Sequence, residues 1–177
     1  MMNTAHLEMS SRRAPVPQFA HSVELGGVDA GLFSPPDGSQ PYRLIVALLP
    51  EAHLEATRWG PYGLDANATS DWDGRANTDA ILRADPSNAI AQQFRDIEID
   101  GHRDFYWAAK LETDHIYRTM GDLVRQFLSS GVAWTSTQYS ANDAWGQDFL
   151  SGYTDFWLKG SIAGALAVRR FYPLVLQ

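Results

Sequence analysis

Over its first 24 positions the chain shows no periodic alternation of apolar and polar residues, and Pro15 and Pro17 interrupt it. This predicts an extended arm, residues 1–24, preceding a folded domain, residues 25–177. Turn signals follow at Gly26-Gly27 and at Ser34-Pro35-Pro36-Asp37-Gly38, and residues 28–33 between them fit a short strand. Residues 42–49 (YRLIVALL), apolar without a break from Leu44 and bounded by Pro41 and Pro50, have the pattern of a buried strand. The two together predict an opening hairpin. Residues 51–72, with Trp59, Gly60, Pro61, Gly63 and several Asn and Asp, read mostly as loop.

The period then lengthens. Asp73-Gly74-Arg75-Ala76-Asn77-Thr78 leads into a short helical turn through Leu82. A second helix starts at Pro86 or Ser87; Ile90, Phe94 and Ile97 at i, i+4, i+7 make one apolar face, and Gly101 stands where a C-terminal cap belongs. A third helix spans residues 110–128, with Leu111, Met120, Leu123, Val124 and Phe127 as its apolar face and Ser129-Ser130-Gly131 as its end. Beyond this the chain reads as β: residues 133–139 (AWTSTQY), residues 144–150 (AWGQDFL) with Trp145, Gln147 and Phe149 on one face, a returning segment 153–159, and a last strand 165–172. Helices and strands are segregated along the chain, which predicts an α+β domain with an antiparallel sheet and two to three helices.

Composition narrows the function classes. At 177 residues, 45% hydrophobic and 20% charged, the chain suits one folded domain plus an arm. The net charge of −7 gives no general attraction to phosphate backbones or anionic lipids, so neither nucleic-acid binding nor membrane insertion is expected. Cysteine is absent, which excludes disulfides, thiolate metal sites and a cysteine nucleophile. His6, His21, His53, His102 and His115 show no metal-binding spacing. Residues 1–19 lack the apolar core of a signal peptide, and no run approaches the ~18 apolar residues of a membrane helix. The expectation is synthesis in a cytoplasm, with release by lysis if the protein acts outside a cell.

The terminal residues carry a family resemblance. Trp134-Thr135-Ser136-Thr137-Gln138-Tyr139-Ser140, then Ala144-Trp145, Gln147 and Phe149, then Gly152, Lys159 and Ala167-Val168-Arg169-Arg170-Phe171 resemble the C-terminal domain family of the Legionella collagen-like adhesin. That domain is common in bacterial surface proteins and bacteriophage genomes. Asp73-Gly74 with Asn77-Thr78, and Gly101 with Asp104-Phe105-Tyr106, are similar to two further motifs of the family. Leu166 stands where the family usually has Arg, and Trp107-Ala108-Ala109 replaces its usual Leu-Pro-Ser. The resemblance covers about residues 60–171. It implies a C-type-lectin-like fold, related to the formylglycine-generating-enzyme domain, used for ligand binding, with some members trimeric.

These residues divide into scaffold and surface. Trp134, Trp145, Phe149, Arg169 and Arg170 are expected to be structural framework, with one arginine paired to Asp104 or Asp148 and the other exposed. Ser136, Thr137 and Gln138 are expected to satisfy backbone groups, and Asp73, Asn77 and Asp104 to cap helices or brace loops. Calcium at Asp71, Asp73 and Asp79 is the weaker alternative for that region; no cofactor or metal is expected. Tyr139, Ser140, Asn142, Asp143, Asp148, Tyr153, Asp155, Phe156 and Trp157 lie between the framework motifs and are the candidate ligand surface. No nucleophile and base stand at a useful spacing, and formylglycine chemistry needs cysteines, so an enzyme is not expected. The expectation is a bacteriophage virion protein of the tail or capsid surface. Its arm would dock on other virion proteins, and its C-type-lectin-like head would be an oligomer, such as a trimer, that binds a host glycan or protein receptor. The alternative is a glycan-binding adhesin of a bacterial surface.

Overall fold

The computed structural model describes residues 19–173. It is a mixed α+β fold of eight strands and three helices. The expected arm lies largely outside the described residues. Its last part, residues 19–24, already touches the domain: His21 Nε2 sits 2.7 Å from an Asp100 carboxylate oxygen, and Ser22 bridges Gly27.

The opening hairpin is present. β1 (Val28–Phe33) pairs antiparallel with β2 (Tyr42–Val46). The sequence pattern missed β3 (His53–Thr57), which has no alternation of burial to announce it. The first helix is longer than one turn: α1 (Gly74–Ala84) is capped by Asp73, whose carboxylate accepts from Ala76 N at 3.1 Å. In α2 (Ala89–Asp96), Asn88 caps and Ile90 and Phe94 are buried. Gly101 does not cap α2, which has already ended. Asp100 and Gly101, at φ 52° and 84°, make a two-residue turn closed by paired Ile99–His102 backbone bonds. β4 (Tyr106–Trp107) precedes α3 (Lys110–Val124), which continues as a 3-10 turn to Phe127. The buried face of α3 holds Ile116, Met120 and Val124 together with Glu112 and Thr113; Leu111 and Leu123, expected there, are only partly buried.

The last four strands are β5 (Val132–Gln138), β6 (Asp143–Asp148), β7 (Thr154–Leu158) and β8 (Ala163–Phe171). The sheet order is β1-β2-β8-β5-β6-β7, with β3 and β4 also pairing with β8. β8 is the hub. Its first half lies between β3 and β5, its second half between β2 and β4. The β5–β8 pairing is parallel, so the sheet is mixed and not purely antiparallel as expected. A strand flanked on both sides and covered on both faces must be continuously apolar and small, and Ala163 to Val168 are all buried. Its two faces feed two cores. Ala163, Ala165 and Ala167 meet Trp59, Trp107, Trp134 and the α1 and α2 residues Ile81, Ile90 and Phe94. Leu166 and Val168 meet Leu44, Tyr106, Phe149 and the α3 residues Ile116, Met120 and Val124.

Candidate functional site

The framework residues of the terminal motif meet different fates. Trp134 and Phe149 are buried, one in each core. Trp134 donates its indole N–H to Thr57 O at 3.2 Å, which ties β5 to the end of β3. Thr137 Oγ1 donates to Ser70 O and accepts from Lys110 N; Gln138 accepts from Ala66 N and donates to Asp65. These bonds hold the irregular 60–72 segment against β5.

Both arginines are withdrawn from solvent, against the expectation that one is exposed. Arg169 grips Asp104 through Nε and Nη2 at 2.6 and 3.2 Å and Leu25 O through Nη1 at 2.9 Å. Arg170 points to the other face. It donates to Tyr106 Oη at 3.0 Å and to Asp73 at 2.7 Å, and lies 3.5 Å from Glu112 Oε1. Asp148 pairs with neither.

Glu112 was not singled out from the sequence. It is fully buried, and its two oxygens accept from Tyr42 Oη (2.5 Å), Tyr106 Oη (2.6 Å), Ala109 N (2.9 Å) and Gly74 N (3.2 Å). Burial pushes its carboxyl above the ordinary range, while Arg170 and these hydrogen bonds pull the other way. The cluster joins β2, β4, α1, α3 and β8 through one carboxylate. It is enclosed and fully partnered, so it braces the fold and offers a ligand no free group.

The nine surface candidates separate into four places. Tyr139, 52% exposed, stacks on Phe156, 40% exposed, with ring centroids 4.0 Å apart and planes 9° from parallel. Trp145, read from the sequence as framework, is half-buried and meets both rings edge-on at 5.3 and 5.6 Å. Lys110, from the first turn of α3, places Nζ 3.8 Å from the Trp145 ring centroid, a cation–π contact. The residues are 29 or more positions apart from Lys110 in sequence, so no local pattern could have indicated it.

Ser140, Asn142 and Asp143 build the β5–β6 turn. Ser140 Oγ accepts from Asn142 N and Asp143 N and donates to Asp143 Oδ2. Asp148 braces the opposite turn by accepting from Leu150 N, Ser151 N and Ser151 Oγ, and the Ser151 hydroxyl chiefly holds its pKa below the usual carboxylate range. Tyr153, 75% exposed, stands at that same end, away from the aromatic cluster. Asp155 and Trp157 occupy the other face of β7. Trp157 packs over Gly146, where a Cβ would come within 2.5 Å of its ring, and meets Trp134 edge-on at 6.1 Å. Trp134, Trp157, Val132, Ser161, Ile162 and Ala163 line an apolar pocket of about 140 Å³.

The three aspartates weighed for calcium are apart. Asp73 pairs with Arg170, Asp79 with Arg95, and Asp71 lies 4.0 Å from Lys110. Among the described residues no group of three or more His, Asp or Glu is placed to hold a metal ion, and no helix is long and apolar enough to cross a membrane. No protein-family model matches the chain, and no curated protein matches it.

Proposed function

We propose that this chain is a structural protein of a bacteriophage virion, on the tail or capsid surface, with a C-type-lectin-like head that attaches to the host surface or to a neighbouring virion protein. The observation that carries the reading is the Tyr139–Trp145–Phe156 cluster with Lys110 beside it. Exposed rings are held there in fixed positions by a sheet whose other motif residues are spent on the core. Aromatic side chains held at the rim of a rigid base support a reading as a recognition surface. The self-contained turns at Ser140–Asp143 and Asp148–Ser151 keep the rim in shape. The family resemblance supplies the virion setting.

Two measurements test this. Mass spectrometry of purified particles should detect the chain, and its absence would sink the virion assignment. Recombinant protein should bind host cells, and Tyr139→Ala with Phe156→Ala should abolish that binding while leaving the circular dichroism unchanged. Binding to a glycan array without any presence in particles would favour the bacterial adhesin instead.

A further inference from the structure

Exposed apolar side chains are concentrated in one part of the described surface. Six of the ten large ones, Tyr139, Leu150, Tyr153, Phe156, Leu158 and Ile162, fall within residues 139–162. They surround β7, one edge of the sheet. The opposite edge, β1, is irregular between Asp29 and Leu32 with Gly31 at φ 97°, the kind of bulge that deters strand addition. β7 has no such bulge: it pairs with β6 over five consecutive residues without irregularity.

The phase of the β6–β7 ladder follows from two bonds. Lys159 N donates to Asn142 O and Asp148 N donates to Tyr153 O, both at 2.9 Å. Since bonded positions alternate along an antiparallel pair, Asp155 and Trp157 direct their backbone groups to β6. Thr154, Phe156 and Leu158 direct theirs outward. The Phe156 N–H agrees, because it is taken by the side chain of its neighbour Asp155 at 2.8 Å and not by β6. The edge therefore turns the backbone groups of three alternate positions outward; the Phe156 N–H is held by Asp155 and the Leu158 carbonyl accepts from Ser161 N at 2.8 Å, while no backbone partner from β6 reaches the others. Phe156 and Leu158 flank it on one face, and the pocket of Trp134, Trp157 and Ile162 on the other.

We propose that β7 pairs antiparallel with β7 of a second copy, about a twofold axis at Phe156. In that register Phe156 faces the partner's Phe156, and Thr154 faces the partner's Leu158; the Phe156 N–H must leave Asp155 to join the ladder, and the Leu158 carbonyl accepts a second bond beside that from Ser161 N. The contact is isologous and closes at a dimer. Charge permits it. In a chain of net charge −7, residues 149–158 contain one charged side chain, Asp155. This register sets it opposite the partner's Trp157, with the two carboxylates only diagonal neighbours at roughly 7–8 Å. A sugar suits the edge less well, because the apolar pocket would leave its hydroxyls without partners. The pairing would set two Tyr139–Trp145–Phe156 clusters side by side on one face, and it stands independently of what that face attaches to.

Sedimentation velocity of the full chain across a concentration series tests the proposal. A dimer is expected at micromolar concentration. Leu158→Lys, a 55%-exposed position, should weaken it by roughly tenfold or more, since an edge lysine opposes strand addition. Leu32→Lys, 54% exposed on β1, should leave it unchanged. Asp155→Ala should tighten it by freeing the Phe156 N–H, and the amides of Thr154, Phe156 and Leu158 should gain hydrogen-exchange protection as the dimer forms. A monomer at every concentration, a trimer, or a dimer indifferent to Leu158→Lys overturns the proposal. Absence of the chain from virions would leave it intact.

Discussion

Replacing Glu112 by Gln tests what holds the centre of the molecule. The side chain keeps its size, but one oxygen becomes an NH2 group. All four hydrogen-bonding neighbours of Glu112, namely Tyr42 Oη, Tyr106 Oη, Ala109 N and Gly74 N, donate to it. The amide oxygen can satisfy the two backbone N–H groups, which cannot turn away. The NH2 group then faces two tyrosine hydroxyls, whose hydrogens lose their acceptor inside the core. Each buried unsatisfied donor costs about 1–3 kcal/mol. Arg170 also loses one of its counter-charges, though it keeps Asp73 at 2.7 Å. Neutralisation works in the opposite direction, because burial is the largest influence on Glu112 and disfavours its charged form. The net expectation is a loss of about 3 kcal/mol, a fall in Tm of about 6–12 °C for a domain of this size. Urea unfolding at pH 7 measures it, with the slope m unchanged and the midpoint lowered. The pH dependence has a definite sign. The folded pKa of Glu112 lies above its unfolded value, so over the window above pH ~4.5 the native state holds more protons and the carboxyl's contribution falls as pH rises. The gap between wild type and Glu112→Gln therefore widens as the pH is lowered. A Gln variant as stable as wild type would refute the reasoning, and would mean that desolvation of the charge cancels all that its hydrogen bonds contribute.

Lys159 is fully buried, with Nζ 2.6 Å from Leu64 O and 4.4 Å from the Trp59 ring centroid, and burial depresses its pKa to about 8 against the pull of Asp65 and Asp143. The unfolded chain then holds the extra proton between pH 8 and the ordinary lysine value of about 10.4, so stability should rise with pH across that window, by at most about 3 kcal/mol. Parallel urea-midpoint curves for wild type and Lys159→Met over this range would show that the ammonium is not desolvated. The Tyr139–Phe156 stack should give a coupling of about 1 kcal/mol in a double-mutant cycle of alanines, and no coupling would mean that the rings are not held together in solution. Gly146→Ala puts a Cβ 2.5 Å from the Trp157 ring and should cost about 1–3 kcal/mol with a changed near-ultraviolet tryptophan signal; an unchanged signal would show that Trp157 does not pack there.

Most elements were legible because their causes are local. The apolar run before Pro50, the Asp73 cap, the Ile90–Phe94 spacing and the β-forming residues of 133–139 each act within a few residues, and the structure places β2, α1, α2 and β5 there, although β5 is buried at every position from Ala133 to Gln138 and not at alternate ones. β3 was not legible: its exposed residues carry no pattern, and it exists because β8 offers it hydrogen bonds from more than 100 residues away. Gly101 looked like a helix cap but closes a local turn between Ile99 and His102, beyond the end of α2 at Asp96.

The candidate site divides along the same line. That residues 139–157 hold both aromatic and polar side chains was a property of the sequence. Which of those rings meet was decided by strand register: Trp145 stands directly across from Phe156, while Trp157 and Asp155 turn to the other face. Lys110 over Trp145, Glu112 beneath two tyrosines 70 and 6 residues away, and Arg170 drawn inside instead of exposed are all consequences of packing. Local pattern determines where a helix or strand can form, because hydrogen bonding and burial periodicity act over a few residues. Which charged side chains go inside depends on whether distant segments bring donors enough to replace water, and only the assembled fold supplies them.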